Sequence, residues 1–505
     1  MHLIELGQRL LTIEHVVHVA RQHEKVELSA GARHRINAAR KIVEETIASG
    51  KVAYGISTGF GALKDKLISP QDQHQLQKNF LSSHAVGVGN PLPADASRAM
   101  LLICANSHGL GHSGVRLQTV QTMLELLNRG VTPVIPEKGS VGASGDLAPQ
   151  AHQAQVLTGH GEAIFQGHRM PAMQALQAAG ITPLTLEAKE GLTLSNGTST
   201  MTAVGALNIH DAQILAETAD VTSAMSLEAL MGTVAAMDER IHAAKAHPGQ
   251  AAVAAHLRQL TRESQIMASH KDCDRIQDAY SLRCIPQVHG ASRDAIAYAR
   301  NVVETEMNSA TDNPLIFPDG SIFSGGNFHG QPVALAMDFL GIAVAELANI
   351  SERRTFRLVD PKLNEGLPGF LIKDSGLNTG YMILQYTAAA LVSENKILAH
   401  PASVDSIPTC ANQEDHVSMG TIGARKAAQI VDNAQHVIAI EALCAAQALD
   451  FRLPLQAGNG TQKAHAAVRQ KVPHVEQDRP IQPDILAALE LVKSGQLLQS
   501  TETHA

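Results

Sequence analysis

The sequence contains no tryptophan, and aromatic residues make up only 3% of its 505 positions. Strands of β-sandwiches and β-barrels are rich in aromatic and β-branched residues, so this scarcity argues against an all-β fold. The hydrophobic content of 44% favours a helical protein with a core of alanine, leucine and valine. A chain of this length can bury a large core divided among several domains.

Basic stripes, paired cysteines and long apolar runs are also missing. The net charge is −8, so we expect no nucleic-acid partner. The five cysteines form no C-x-x-C pair, which predicts reduced thiols in the cytoplasm. The N-terminus lacks the pattern of a signal peptide. Asp338 and Glu346 interrupt the most apolar segment, so we expect a soluble cytoplasmic protein without a membrane partner.

Helical patterns are longest in the second half of the chain, in segments 200–246, 332–357, 381–398 and 419–450. In the last segment, apolar residues recur with the spacing of a buried helical stripe at Ile430, Val437, Ile438, Cys444 and Ala445. These patterns predict a mainly α fold, a bundle of long helices that follows a more irregular N-terminal region. Short strands are expected within residues 131–183, a helical pattern over residues 1–50, and a helix N-cap at Asp95.

Three regions follow from this division. Residues 1–199 form the N-terminal region and contain a glycine-rich loop at 139–149. Residues 200–480 form the long-helix bundle, which is interrupted by polar loops. Residues 481–505 carry a C-terminal helix and a polar end that we expect to be loose.

The loop at 139–149 reads Gly-Ser-Val-Gly-Ala-Ser-Gly-Asp-Leu-Ala-Pro. Its glycines permit unusual dihedral angles and close backbone approach. Because Gly145 has no Cβ, its amide nitrogen could attack the carbonyl carbon of Ala143, and loss of water would leave Ser144 as a dehydroalanine. An ordinary glycine-rich turn and a phosphate-binding nest remain alternatives. The loop matches neither a P-loop nor G-x-S-x-G, because Asp146 stands at the last position of that motif.

Two other functional classes are open on the sequence alone. The 25 histidines suggest a metal enzyme, with candidate groups at His108 and His112 and at His270, Asp272, Cys273 and Asp274. However, the zinc motif H-E-x-x-H is absent and glycines weaken the helix between the first pair, so no metal site is expected. A non-catalytic helical scaffold would have no need for several Gly/Asn/Asp-rich loops between long helices.

Further motifs join the loop at 139–149: Tyr-Ser-Leu-Arg-Cys at 280–284, Ser-Val-Asp-Ser-Ile-Pro-Thr at 403–409 and Asn-Gln-Glu-Asp-His at 412–416. With these motifs the chain resembles the aromatic amino acid ammonia-lyases, over residues 54–419. The resemblance implies an autocatalytic 4-methylidene-imidazol-5-one formed from Ala143, Ser144 and Gly145, with no metal or external cofactor. It also implies a homotetramer whose active sites are shared between chains.

The resemblance assigns a role to each site residue. Tyr54 becomes the base that takes the β-proton, and its phenol, with an ordinary pKa of about 10, needs positive charge or hydrogen bonds to lower that pKa. Arg283 binds the substrate carboxylate as a planar fork, with help from Asn313. The remaining residues position the substrate and the imidazolone or line the site: Asn196, Gln277, Tyr280 and Phe328.

Ser83-His84 and Glu414 match the histidine-selective branch, which converts L-histidine to trans-urocanate as the first step of histidine degradation. Imidazole needs polar partners, and a site built of buried polar groups rejects an apolar ring by about 10⁴–10⁵-fold. The chain departs from this branch at Ser199, where Gln is frequent, and at Gln331, where Glu is usual. A tyrosine- or phenylalanine-selective lyase of the same family is the alternative.

Overall fold

Helices dominate the computed structural model, which describes residues 3–501. The helices before residue 199 are short or of moderate length: α1 Ile13–Arg21, α2 Ala30–Ala48, α3 Gln73–His84, α4 Ala94–Gly109, α5 Leu117–Arg129, α6 Leu147–Leu157, α7 Ala172–Ala179 and α8 Glu190–Ser195. The following helices include the longest: α9 Ser199–Ala229, α10 Glu239–Ala244, α11 Pro248–Leu260, α12 Gln265–Ser269, α13 Tyr280–Arg283, α14 Ile285–Glu306, α15 Gln331–Val359, α16 Met382–Leu398, α17 Gly420–Asp450, α18 Asn459–Lys471, α19 Gln482–Lys493 and α20 Gln496–Gln499. The predicted mainly α fold is confirmed.

The strands are short: β1 Ile4–Leu6, β2 Val26–Leu28, β3 Val88–Pro91, β4 Thr132–Pro133, β5 Pro136–Lys138, β6 Glu162–Phe165, β7 His168–Pro171, β8 Leu315–Ile316 and β9 Ile322–Phe323. Strands β4, β6 and β7 form an antiparallel sheet, as expected for the mixed region at 131–183. Residues 1–50 are not purely helical, because β1 pairs with β2 in parallel, with Ile4 opposite Val26.

The described chain divides into two compact units. The first contains the residues up to His210, together with Ala299–Asp338 and Pro401–Arg425. The second contains Asp211–Tyr298, Phe339–His400 and the residues from Lys426 onward. The division into regions 1–199, 200–480 and 481–505 stays a prediction, and residues 502–505 of the expected loose end lie outside the described residues.

In the first unit, α4 is a central, almost fully buried helix. It begins at Ala94 after Pro93, so Asp95 lies in its first turn and the predicted N-cap is wrong. The Asp95 carboxylate pairs there with Arg21 at 2.9 Å, at the helix end that favours negative charge. Farther along α4, buried Arg98 donates to the carbonyls of Val19 and Ala20 at the end of α1, which satisfies backbone groups that a helix leaves unpaired.

The second unit contains the predicted helical stripe on α17. Ile430, Val437, Ile438, Cys444 and Ala445 are all buried, with exposed fractions of 0–1%. Helix α15 is apolar and long enough to cross a membrane by length and composition. Two-thirds of its most apolar window is buried inside the protein, a property that core helices of soluble proteins share.

Candidate active site

The loop at 139–146 is folded into a tight turn held by its own polar groups. The amide of Gly145 donates to the carbonyl of Gly142 at 3.2 Å, and the Ser140 hydroxyl donates to the Gly145 carbonyl at 3.2 Å. Ser144 has a φ of 47°, in the left-handed region that side chains disfavour. A Cβ at Gly145 would lie 2.0 Å from the carbonyl oxygen of Gly197. Only glycine therefore fits at position 145 without movement of the backbone.

Asn196 and Gly197 lie directly against this turn. Gly145 and Gly197 form a parallel bridge in which the Gly197 amide donates to the Ser144 carbonyl at 3.0 Å. The Asp146 amide donates to the Gly197 carbonyl at 2.8 Å, and the Gln150 side chain donates to the same carbonyl at 2.5 Å. The turn and the Asn196-Gly197 segment thus form one rigid backbone unit.

Asp146 fastens the turn to the start of α9. Its fully buried carboxylate accepts hydrogen bonds from the amides of Thr200 and Met201 at 3.0 and 2.9 Å, and from the hydroxyls of Thr421 and Ser140. Burial raises the pKa of Asp146 to about 6, although these hydrogen bonds act to lower it. The helix N-terminus also favours a negative charge at this position.

A buried ion pair supports Asn196 and Asn313 from the other side. Lys189 and Asp312 are both buried and lie 2.6 Å apart. The side-chain nitrogen of Asn196 donates to the Asp312 carboxylate at 3.1 Å and to the Asn313 carbonyl at 3.3 Å. The Asn313 side-chain oxygen accepts from the Gly325 amide at 2.7 Å, in the loop that carries half-buried Phe328. Asn196, Asn313 and the 139–146 turn therefore belong to one connected cluster.

Tyr54 is half-buried beside this cluster. The neighbouring Gly55 is tightly packed, since a Cβ there would lie 3.4 Å from Pro314 and 2.6 Å from Leu192. The Tyr54 hydroxyl accepts a hydrogen bond from the Gly61 amide at 3.1 Å. Burial raises the pKa of Tyr54, and the negative charges of Glu414 and Asp312 add to that rise. The hydrogen bond from Gly61 lowers the pKa but does not reverse the direction, so the described chain does not supply the lowering that a base needs.

His84 ends α3, and its ring stacks on Phe80 with centroids 3.8 Å apart. Its Nδ1 lies 2.8 Å from the Phe80 carbonyl oxygen. Because a carbonyl can only accept, Nδ1 carries the proton, and Nε2 is an acceptor in the neutral ring. Burial lowers the pKa of His84, although the Phe80 carbonyl and the charge of Glu414 oppose this.

Glu414 lies in a short hairpin with Thr409, whose hydroxyl donates to its carboxylate at 2.8 Å. The Tyr54 loop reaches the same hairpin, where the Ala62 amide donates to the Cys410 sulfur at 3.2 Å. Phe60 in turn packs edge-on against Phe80, with centroids 4.6 Å apart. These contacts bring the Tyr54, His84 and Glu414 segments together in the first unit.

Three predicted site residues lie in the second unit. Gln277 is exposed on a loop, and Tyr280 and Arg283 stand at the two ends of α13. The Arg283 guanidinium lies over the Tyr280 ring, 4.6 Å from its centroid, and 71% of the Tyr280 side chain is exposed. The Arg283 Nε is buried without a hydrogen-bond partner among the described residues.

The two positions that depart from the histidine-selective branch are both placed near loop backbone. Ser199 is buried at the first position of α9. Gln331 begins α15, and its side-chain nitrogen donates to the Ser403 carbonyl at 3.1 Å. Its side-chain oxygen is buried without a described partner. Gln331 therefore contacts the 403–409 segment rather than the 139–146 turn.

Several residues of the site are not evident from the sequence reasoning. Asp146 belongs to the loop motif itself, and Asp312 directly precedes Asn313, so both had a local signal. Lys189, Gln150 and Glu306 had none. The Thr198 hydroxyl donates to the Glu306 carboxylate at 2.6 Å, and burial raises the pKa of Glu306. Residues 3–501 contain no group of three or more His, Cys, Asp or Glu side chains arranged to hold a metal ion.

Comparisons with known proteins identify the family and the fold of the chain. The family model of the aromatic amino acid lyases matches residues 11–470. A histidine ammonia-lyase of Koribacter versatilis is 55% identical over 98% of this chain and 99% of its own. The crystal structure of histidine ammonia-lyase from Trypanosoma cruzi is 43% identical, with a TM-score of 0.92 over 99% of this chain and 95% of that one. Tyrosine aminomutase from Streptomyces globisporus is 37% identical, with a TM-score of 0.94 over 99% and 98%.

Proposed function

The chain belongs to the aromatic amino acid lyase family and is a carbon–nitrogen lyase, and we propose that it eliminates ammonia from L-histidine to give trans-urocanate. This reaction breaks a weakly acidic β C–H bond next to a poor leaving group. A positioned base alone contributes about 10²–10⁴-fold to such a step, so an electrophile has to assist. We propose that it is 4-methylidene-imidazol-5-one, formed from Ala143, Ser144 and Gly145 with loss of two water molecules.

Residues 143–145 fit this group. The left-handed Ser144 and the glycine-only position 145 already fold the segment into a tight turn. Gly142 is equally constrained, since a Cβ there would lie 2.3 Å from the Ser418 hydroxyl. When formed, the group supplies an electrophilic methylidene carbon at position 144. Asn196 lies beside the turn and is oriented by Asp312.

The chain's own residues bind the substrate and move the proton. Tyr54 accepts the β-proton at its phenolate oxygen. Arg283 pairs with the substrate carboxylate, whose charge suits its planar fork, and Asn313 assists. Asn196 and Tyr280 hold the reacting part of the substrate in position, while Phe328 and Gln277 line the site.

The observation that carries the choice of histidine is the polar pair His84 and Glu414. His84 presents the lone pair of Nε2, because its Nδ1 proton is held by the Phe80 carbonyl. Glu414 presents a carboxylate. Either group can accept the single N–H of a neutral imidazole, and together they match the two N–H groups of the protonated ring, whereas a phenyl ring has no N–H to donate. A phenylalanine ring would leave these groups without partners, at a large cost in binding.

The test compares kcat/KM for L-histidine, L-phenylalanine and L-tyrosine by the ultraviolet absorbance of the conjugated products. We expect histidine to be preferred over phenylalanine by about 10⁴–10⁵-fold. Glu414→Leu should reduce this ratio mainly by lowering kcat/KM for histidine. The neighbouring exposed variant Asp415→Asn serves as the control and should keep it. Faster turnover of phenylalanine or tyrosine than of histidine would refute the assignment.

We further propose that the enzyme is a cytoplasmic homotetramer with active sites shared between chains. Apolar side chains are exposed on α15 and α16 of the second unit, at Phe339, Ile342, Ile383 and Tyr386, with exposed fractions of 45–60%. Large apolar surfaces of this kind mark protein interfaces. The largely exposed Tyr280 beside Arg283 supports a role for this pair in the site of a neighbouring chain.

A further inference from the structure

The second unit contains a cavity of about 680 Å³ whose described lining includes none of the proposed active-site residues. Its walls come from helices α9, α11, α14, α18 and α20. The charged side chains among its described lining residues are predominantly basic: Arg258, Arg262, Arg293 and Lys463, with His256, against the single carboxylate of Glu217. We propose that this cavity binds a small phosphate-bearing anion with several negative charges, such as a polyphosphate or a phosphorylated sugar.

Two of the lining arginines, Arg258 and Arg262, form no ion pair with a carboxylate within residues 3–501. Arg258 makes no ion pair: its guanidinium donates to the backbone carbonyl of Met237 at 2.5 Å, and Asp238, the carboxylate on which its charge acts, is already paired with Arg240. Arg262 is exposed, and its guanidinium makes no ion pair or hydrogen bond within residues 3–501. One guanidinium group can bind two phosphate oxygens at once through two parallel N–H···O hydrogen bonds. Two such groups on one wall therefore suit a multivalent phosphate better than a monocarboxylate.

A buried carboxylate orders two other side chains of the cavity lining. Asp220 is fully buried on α9 and holds Arg293 at 2.6 Å and His256 at 3.0 Å. Its other oxygen is 2.7 Å from Nδ1 of buried His289. Asp220 offsets the charge of Arg293, but it also holds both cavity-lining side chains in place. Side chains ordered in advance lose less entropy when a ligand binds.

The first residues of α18 complete the cavity lining. Asn459 and Gly460 begin this helix after the N-cap residue Gly458. This helix end is already capped, because the Gly458 amide donates to the buried Glu228 carboxylate at 2.8 Å and the Asn459 amide donates to the Arg262 carbonyl at 2.9 Å. The attraction for an anion therefore comes from the side chains.

No phenylalanine or tyrosine lines the cavity among the described residues. His256 is the one aromatic ring in the described lining, and Asp220 already holds it at 3.0 Å. The basic side chains, rather than a stacking surface, therefore define the proposed ligand.

Isothermal titration calorimetry of the full-length enzyme with sodium tripolyphosphate, at constant ionic strength, tests the proposal. We expect saturable binding of one ligand per chain. Charge reversal in Arg262→Glu should weaken binding at least about tenfold, and Lys463→Glu provides a second variant if the first does not fold. The control is Arg9→Glu, an exposed arginine in the first unit, which should leave the affinity unchanged.

Sodium acetate and sodium sulfate, titrated under the same conditions, report on the charge of the ligand. We expect acetate to bind at least tenfold more weakly than tripolyphosphate, with sulfate between them. The proposal is overturned by the absence of saturable tripolyphosphate binding. It is also overturned if Arg9→Glu weakens binding as much as the cavity variants, or if acetate binds as tightly as tripolyphosphate. None of these results depends on lyase activity.

Discussion

Ser144 stands in a left-handed conformation between two small residues, and its hydroxyl is the group whose loss would create the methylidene carbon. Ser144→Ala removes that hydroxyl but keeps a Cβ, so it adds little strain to the turn. We expect the variant to fold and its lyase activity to fall by about 10³-fold or more, since the remaining base supplies only part of the rate enhancement. Intact mass spectrometry checks the cause. The parent enzyme should lack two water molecules relative to its sequence, and the variant should not.

Ser140→Ala is the matched control for this experiment. Its hydroxyl lies in the same loop and contacts Asp146 and the Gly145 carbonyl, but it is not consumed in forming the imidazolone. The control should therefore still lose two water molecules. An active Ser144→Ala enzyme, or a parent enzyme of unshifted mass, would contradict the proposed electrophile.

At the same scale, some residues of the site could be predicted from sequence and others could not. Ala143, Ser144 and Gly145 stand inside one distinctive motif, so their proximity is a local property of the chain. Lys189 and Asp312 are separated by 123 positions and are paired only by the tertiary fold. The direction in which the pKa of Tyr54 shifts also depends on the tertiary fold. The sequence indicated the need for a lowered value, but burial and nearby carboxylates raise it within the described chain.

Among the elements, long helices were predicted more accurately than short strands. Segment 332–357 corresponds to α15, Gln331–Val359, and segment 381–398 to α16, Met382–Leu398. Their hydrophobic patterns extend over many turns and resist local ambiguity. Strands β1 and β2 have three residues each and pair across 22 positions. No periodic pattern can develop over three residues, so this parallel pair was missed.

Helices α15 and α17 are joined within the second unit by a fully buried ion pair. Glu441 accepts from Nε and an Nη atom of Arg354 at 2.5 and 2.9 Å, and from the hydroxyls of Ser351 and Ser226. Glu441→Leu should lower the free energy of unfolding by about 3–5 kcal/mol, because it leaves Arg354 charged and unpaired in the core. Denaturant unfolding monitored by circular dichroism measures this change.

The double variant Arg354→Met, Glu441→Leu distinguishes two contributions to the free energy of unfolding. One is the net stabilisation by the ion pair, and the other is the cost of leaving Arg354 charged and unpaired. With both charges replaced by apolar side chains of similar volume, we expect much of the lost stability to return. If the double variant is as unstable as Glu441→Leu, then hydrogen bonds to Ser351 and Ser226, rather than the unpaired arginine, determine the effect.

At the scale of the whole molecule, the proposed base Tyr54 still needs a positive charge that lowers its pKa. The first unit holds Tyr54, His84 and Glu414 and raises the pKa of the base. The proposed carboxylate-binding Arg283 belongs to the second unit, beside the largely exposed Tyr280. If neighbouring chains exchange these parts, then each site combines the Tyr54 of one chain with the Arg283 of another. The arginine can then stabilise the phenolate as well as the substrate.

Subunit complementation tests this sharing directly. Tyr54→Phe and Arg283→Ala are each expected to be inactive when every chain carries the same substitution. Co-expressed with distinct affinity tags and purified through both, the mixed oligomer should recover up to about one quarter of the parent activity, because that share of randomly assembled sites receives both intact residues. The two variants purified separately and combined without subunit exchange are the control and should stay inactive. Mixed oligomers that form but show no activity would mean that Tyr54 and Arg283 act within the same chain, since neither chain alone has both.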